Sequence, residues 1–571
     1  MTEPRTCDVL VVGGGATGAG VLRDLARRGL RGLLVERGDF GTGTSGRFHG
    51  LLHSGGRYAV KDAEAARECI AENRILRRIA SSAIEDTGAY YVATPDDPDD
   101  YVEKFPRACE EAGIECRDVR LVDAFHREPA LSREIRKVFR LPDGAVDGWE
   151  LIAANLEDAK RLGSEALPYT QVVGFELVGE RIVGVRLADV RSGDVSVVHP
   201  RFVVSAAGAW AGKIAALAGV TVSMTPGKGV MLIYNQRMTD TVVHRCHMPS
   251  DGDIMVPIHS VAILGTTDER VADPDDDRVR RDDVERLIGE GERLFPALRQ
   301  MRLLRAYAGV RPLYAPPASA STSENRAVSR AHQVVDHASD GVDNFVSVVG
   351  GKLTTYRLMA ADCVDVVTAR LGVSARSTTA DEALPGSSGG RFGRRGRTYW
   401  LGHRLAEHEA EGGGDANLIC ECELVTRATL DAFLDERWPC SLDDVRRGTR
   451  LGMGPCQGAF CTFRAAGLVA ARTGTGAGSG SATPPAERGD AAGPGDVDRA
   501  IVGYLEERFK GTRPIASGRQ LQELWMAMGV YAGTLGIDSL IERPPALAPE
   551  PPKPRARRSK AKPAEVPDAE S

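Results

Sequence analysis

Two groups of residues in this 571-residue chain have types and spacings that can do chemistry. The first is Cys420-x-Cys422 followed, after 33 residues, by Cys456-x4-Cys461, which gathers four of the eleven cysteines into one stretch. Two close thiol pairs can each ligate one iron of a [2Fe-2S] cluster, and the glycines around Cys456 leave room for backbone N–H groups to point at sulfur. The same four thiolates could equally make a tetrahedral zinc site. Cys440, between the pairs, reads as an ordinary core residue.

The second group opens the chain. "DVLVVGGGATGAG" places Gly13, Gly15 and Gly18 in G-x-G-x-x-G spacing directly after an apolar strand. The first glycine serves the tight turn, the second lets a pyrophosphate approach the backbone, and the third lets helix and strand pack closely. "GLLVERG" then supplies a second strand ending at Glu36, an acid placed to take a ribose hydroxyl pair. Three further segments favour FAD over NAD. "FGTGTSGRFHGLLHSGGRY", with Thr44, Ser45, His49 and His53, is too rich in glycine and hydroxyls for a helix and can wrap a long cofactor. "VVSAAGAWAG", with Gly208, and "VVGGKLTTYR", with Gly351, Lys352, Leu353 and Thr354, are two more strand-to-glycine turns feeding helices.

With these motifs the chain resembles the FAD-dependent glycerol-3-phosphate dehydrogenases of the D-amino-acid-oxidase-like superfamily, and within them the catalytic A subunits of the anaerobic enzymes. The resemblance covers residues 5 to 540. It implies noncovalent FAD, oxidation of sn-glycerol 3-phosphate to dihydroxyacetone phosphate with hydride passing from C2 to flavin N5, and a C-terminal [2Fe-2S] domain like that of bacterioferritin-associated ferredoxin. It also implies GlpB-like and GlpC-like partner subunits, a quinone as downstream acceptor, and attachment to the cytoplasmic face of the membrane through those partners. A phosphate dianion and a developing alkoxide need cations. Arg57 in "GGRY", Arg311 in "AGVRPL" and Lys352 fall in matching motifs and are the expected catalytic cations. His259, in "VPIHSVAILGTTD", is a candidate base beside His49 and His53, since histidine has the right pKa for proton abstraction. Thr354 and Thr355 could cap the helix that follows them. Lys228 and Gly229 edge either the cofactor pocket or a plain hairpin turn. An amine or amino-acid oxidase of the same fold and a non-catalytic electron relay are the competing readings.

The elements that must position these groups are those of an α/β protein. Residues 1–375 alternate apolar strands with helical patterns, as a doubly wound FAD-binding domain would. Inside this span, "VVGFELVGERIVGVRL" reads as an antiparallel hairpin turning at Gly179-Glu180, expected to belong to an inserted substrate-covering sheet. Residues 376–415 read as a linker, 416–472 as the cysteine domain, 473–498 as a flexible tether, 499–545 as a helical unit and 546–571 as a disordered tail. A net charge of -6 with 42% apolar residues offers no basic surface for nucleic acid. No signal peptide and no apolar run of about 18 residues is evident, so any membrane contact is expected to be peripheral.

Overall fold

The computed structural model describes residues 5–314, 331–387, 400–410, 412–413, 417–437, 440–474 and 494–535. Strand Arg5–Val12 is flanked by two parallel neighbours, Gly32–Val35 and Val195–Ser205, inside an eight-stranded sheet. The strand is apolar and buried because helix Ala16–Arg27 covers it, and the helix can lie that close because Gly18 has no side chain: a Cβ there would fall 1.9 Å from the Gly13 carbonyl oxygen. Phe345–Gly350 extends the parallel set and leads into helix Tyr356–Leu371, which packs against Ala16–Arg27. These parts bury one core of Val, Leu, Ile and Ala, with Tyr356 across its middle.

A second, nine-stranded sheet stands beside the first. It is antiparallel apart from the pairing of Val242–Arg245 with Ala89–Ala93. Strand Gly227–Tyr234, next to one edge, lies between Val261–Gly265 and Leu303–Arg311. The antiparallel substrate-domain sheet expected from the sequence is this one, but the hairpin is not part of it. Strands Thr170–Val178 and Arg181–Asp189 do form an antiparallel hairpin, yet Arg181–Asp189 pairs with Val195–Ser205 and so extends the nucleotide sheet. The physical reason is local: Val195–Ser205 runs eleven residues, long enough for its first half to pair with the hairpin while its second half pairs with Phe345–Gly350.

Residues 372–387, which follow Leu371, are packed rather than free. Leu384 is buried in the nucleotide-domain core, and Arg23 donates to the Thr379 and Glu382 carbonyls at 3.3 and 2.7 Å. Helix Trp400–Ala410 lies within the expected linker. The cysteine region, a short hairpin and three helices ending at Gly474, shares one apolar cluster with helices Pro494–Thr512 and Gly518–Leu535, so these parts make one body. The helix begins at Pro494, inside the span expected to be tether. Residues 475–493 of that tether and the 546–571 tail lie outside the described residues. Among the described residues no helix is long and apolar enough to cross a membrane.

Candidate active site

A cavity of about 710 Å³ runs along the edge of the nucleotide sheet to the second sheet. Gly13, Gly15, Glu36, Thr44, Ser45, His53, Gly208, Gly351, Lys352, Leu353 and Thr354 all line it, together with His49 and Arg311. Gly18 lies behind this wall, in the helix–strand packing. The wall is shaped for close approach by a ligand. Gly13, at φ 110°, would place a Cβ 2.6 Å from the Ala206 carbonyl oxygen, and a Cβ on Gly15 would come within 3.0 Å of Ser45 Oγ. Glu36 accepts from the Gly14 and Gly38 amides at 2.7 and 3.0 Å, which fixes its carboxylate at the strand end. Ser45 Oγ accepts from the Ala16 amide at 3.0 Å, and Thr44 Oγ1 donates to the Val310 carbonyl at 2.6 Å, so the glycine-rich loop is tied to both sheets. An elongated cradle of backbone amides, glycines and a ribose-reaching acid fits FAD.

At the far end, Arg311 projects from the end of Leu303–Arg311. Its guanidinium pairs with Asp268 at 3.0 Å, donates to the Thr267 carbonyl at 3.0 Å and bonds the Thr266 hydroxyl. A Cβ at residue 229 would lie 2.6 Å from Arg311 Nη2, so Gly229 is the residue that makes room for it. Lys228 points elsewhere, buried against Glu269 at 3.1 Å. Lys352 lines the same cavity, its ammonium 5.0 Å over the Tyr58 ring. The threonines brace this turn: Thr355 Oγ1 accepts from the Lys352 amide at 3.2 Å, and Thr354 Oγ1 accepts from the His53 amide at 3.1 Å.

Two expected site residues are elsewhere. Arg57 is off the cavity wall, because its guanidinium is drawn 2.9 Å from the fully buried Asp253. His259 is away from the cavity altogether. It occupies a tight turn at φ 48°, with its ring nitrogens 3.4 Å from Asp147 and 3.5 Å from Glu423. Arg450 completes this buried group, 3.1 Å from Asp147 and 3.0 Å from Glu423, and Ser260 donates to Glu423 at 2.5 Å. Asp147 also caps helix Gly148–Arg161 by accepting from the Trp149 and Glu150 amides. Glu423 follows Cys422 directly, so His259 marks the seam between the flavin-type domain and the cysteine module.

Of the three candidate bases, His49 and His53 therefore remain at the cavity. Burial pushes the His49 ring well below the usual histidine range and His53 down to about 3, against the pull of Asp143. Both are uncharged at pH 7, and burial makes each a weaker base than a free imidazole. His49 Nδ1 already accepts from the Leu51 amide at 3.2 Å, whereas His53 Nδ1 has no hydrogen-bond partner among the described residues. Beneath them lies a group with no signal in the sequence: Asp143 accepts from Tyr91 Oη at 3.1 Å and sits 3.0 Å from His244, whose ring stacks on Tyr91 at 4.3 Å. Burial likewise lowers His259 to about 4, with Arg450 adding to the effect. A histidine kept neutral when folded but free to protonate when unfolded weakens the fold as pH falls from about 6.5 toward 4. Thermal unfolding followed by calorimetry should therefore show a falling Tm across that window. His259→Gln should recover up to roughly 3 kcal/mol of the loss at its lower end.

The four cysteines meet two by two, but across the sequence pairs. Cys422 and Cys456 have sulfurs 3.5 Å apart, and the Cys461 thiol donates to Cys420. That contact, helped by the Gly452 and Glu423 amides, lowers Cys420 to about 7, whereas burial raises Cys422 to about 12. A Cβ on Gly454 would sit 2.4 Å from Cys422 Cβ, so the glycine lets the two loops touch. Among the described residues no three His, Cys, Asp or Glu side chains converge as a site for a metal ion. Backbone amides of Gly452 and Glu423 point at Cys420, and that of Cys456 at Cys422.

Residues 8–357 match the model of the family described as FAD dependent oxidoreductase. Over 551 residues the chain is 41% identical to the A subunit of the anaerobic glycerol-3-phosphate dehydrogenase of Escherichia coli K12, covering 94% of this chain and 98% of the relative. It is 40% identical to the A1 subunit of the corresponding Haloferax volcanii enzyme over 94% of this chain and 91% of that one. The glycerol-3-phosphate dehydrogenase of Bacillus halodurans, solved with FAD, superposes with a TM-score of 0.62 at 21% identity, covering 91% of this chain and 97% of that one. The glycine cradle, the two-sheet fold and identity running through the cysteine module lead to one assignment: the chain belongs to the FAD-dependent oxidoreductase family and, within it, to the A subunits of the anaerobic glycerol-3-phosphate dehydrogenases.

Proposed function

We propose that the chain is the catalytic subunit of a glycerol-3-phosphate dehydrogenase. It oxidises sn-glycerol 3-phosphate to dihydroxyacetone phosphate and passes electrons through its cysteine module to partner subunits and a quinone at the membrane. The observation that carries the reading is a single cavity whose wall holds both the glycine cradle and two cations, Arg311 and Lys352. Bound FAD supplies the acceptor for the hydride from C2. Arg311 is held by Asp268 in the orientation that lets its fork meet a phosphate or alkoxide oxygen, and Lys352 adds a point charge. His53, uncharged, at the wall and with Nδ1 unpartnered among the described residues, takes the hydroxyl proton. Arg57 acts from behind the wall by fixing the loop that carries both histidines.

The four thiols would hold a [2Fe-2S] cluster, which would supply a one-electron exit. The cross-sequence pairing supports Cys420 with Cys461 on one iron and Cys422 with Cys456 on the other. Anaerobic titration decides the substrate: sn-glycerol 3-phosphate should bleach the flavin, while glycine, proline and sarcosine leave it oxidised; the reverse result ends the reading. EPR of the reduced protein should show a two-iron signal, and a zinc content without that signal would remove the relay. Cys456→Ser should keep substrate-dependent bleaching within about twofold of wild type while abolishing electron delivery to an added quinone analogue, since its sulfur lies in the exit and not in the cavity.

A further inference from the structure

A second cavity, of about 390 Å³, lies behind the flavin-wrapping loop. Thr42, Arg47 and Phe48 face both cavities, and Tyr307 Oη donates to the Phe48 carbonyl at 2.7 Å, so the second sheet holds this shared wall in place. Eight Arg or Lys and four Asp or Glu line the second cavity. Most of the cations are matched: Arg47 and Lys510 share Asp277, and Arg450 lies between Asp147 and Glu423. Arg305 is different. Its side chain is only 12% exposed, and Gly511 of helix Pro494–Thr512 closes over it, so near that a Cβ there would lie 2.8 Å from Arg305 Nε. Its carboxylate partner, Glu507, is 3.5 Å away, long for a charge-assisted bond, and Nε has no hydrogen-bond partner among the described residues. Burial, with Arg446 next, draws the Arg305 pKa below the usual arginine value, the sign of a cation short of negative charge.

A guanidinium removed from water whose carboxylate lies 3.5 Å away is short of compensating charge, and an oxyanion in the cavity it lines supplies that charge. Between the charged groups the wall carries apolar side chains, Phe48, Trp149, Ile233 and Ile258, around a volume in the range of organic-ligand pockets. We propose that this cavity binds a small amphiphilic oxyanion, a carboxylate or phosphate monoester on an apolar body, with its acid group on Arg305 and its body against Phe48, Trp149 and Ile258. A molecule seated there touches the back of the loop that wraps the flavin, which makes the site a place from which that loop can be tightened.

Isothermal titration of the FAD-loaded full chain with octyl phosphate tests this, run anaerobically with and without saturating sn-glycerol 3-phosphate. Binding with a Kd of tens of micromolar, unaffected by substrate and about tenfold weaker for inorganic phosphate, is expected. Arg305→Met should weaken it by about tenfold or more, and so should Ile233→Glu, which keeps the arginine but sets a carboxylate in the wall. Should Arg305→Met fail to fold, the Ile233→Glu arm decides alone. Absence of binding up to millimolar, displacement by substrate, or wild-type affinity in the folded variants overturns the proposal. Affinity for phosphatidic acid vesicles without affinity for octyl phosphate would also overturn it, by assigning the cations to a membrane surface.

Discussion

Arg311→Ala is expected to bind FAD as the wild type does and yet have its flavin reduced by sn-glycerol 3-phosphate about a hundredfold more slowly, the scale for losing one preorganised electrostatic donor. Stopped-flow reduction under anaerobic conditions measures it directly. The structure sharpens this expectation in two ways. First, Asp268 and the Thr267 carbonyl fix the guanidinium before any substrate arrives, so the loss should fall on the reduction rate as well as on substrate affinity. Second, Arg311→Lys should recover little, because an ammonium cannot reproduce the fork that spans Asp268 and Thr267 while still facing the cavity. Removing Arg311 also leaves Asp268 without its ion pair, so FAD content and Tm belong beside the rate. A reduction rate within threefold of wild type in a fully FAD-loaded variant would take Arg311 out of the mechanism.

The second large effect is on the fold. Arg450→Ala leaves Asp147 and Glu423 buried without their shared cation, and breaking a buried pair from one side typically costs about 3–5 kcal/mol. In wild type, Arg450 and His259 help to hold both carboxyls below the usual range. Without Arg450, desolvation pushes these buried carboxyls above their unfolded values near 4, a penalty that is full well above those values and fades as pH falls toward 4. The deficit of Arg450→Ala against wild type should therefore be largest near pH 7 and shrink toward pH 4, as read from urea midpoints at each pH. The double variant Arg450→Ala with Glu423→Gln should lose less than the sum of the two single changes, since it leaves one fewer orphan charge. Equal deficits at both pH values would show that packing, and not charge, governs the seam.

Much of the cradle was legible from local signals. Glycine spacing after an apolar strand and an acid at the next strand's end depend on neighbours within a few tens of residues, and Gly13, Gly15 and Glu36 lie where the pattern put them. The alternating hairpin at 170–189 was also readable, because period-two alternation reports an antiparallel pair. It does not report which sheet the pair joins, and Arg181–Asp189 was claimed by Val195–Ser205. His259 shows a different limit. A histidine beside a strand end looks the same in sequence whether the strand opens on a cofactor or on another module, and only the 164-residue return of the chain to Glu423 distinguishes them. Arg57 with Asp253, and Asp143 with His244, are likewise pairings over distances at which composition and periodicity carry no information.

The turn at His259 and Ser260 also bears on how such proteins can be inherited. Asp147, Glu423 and Arg450 hold one another's charges, with the uncharged His259 ring between the two carboxylates, so none of these three can be exchanged alone without stranding a charge in the interior. A chimera that grafts the cysteine module onto a related flavin domain must carry Asp147 and His259 across with it. One that drops the module must remove the charge on Asp147. Gain or loss of the cysteine module is therefore not a matter of adding or deleting a tail: it requires concerted change at three charged positions spread over 304 residues of chain.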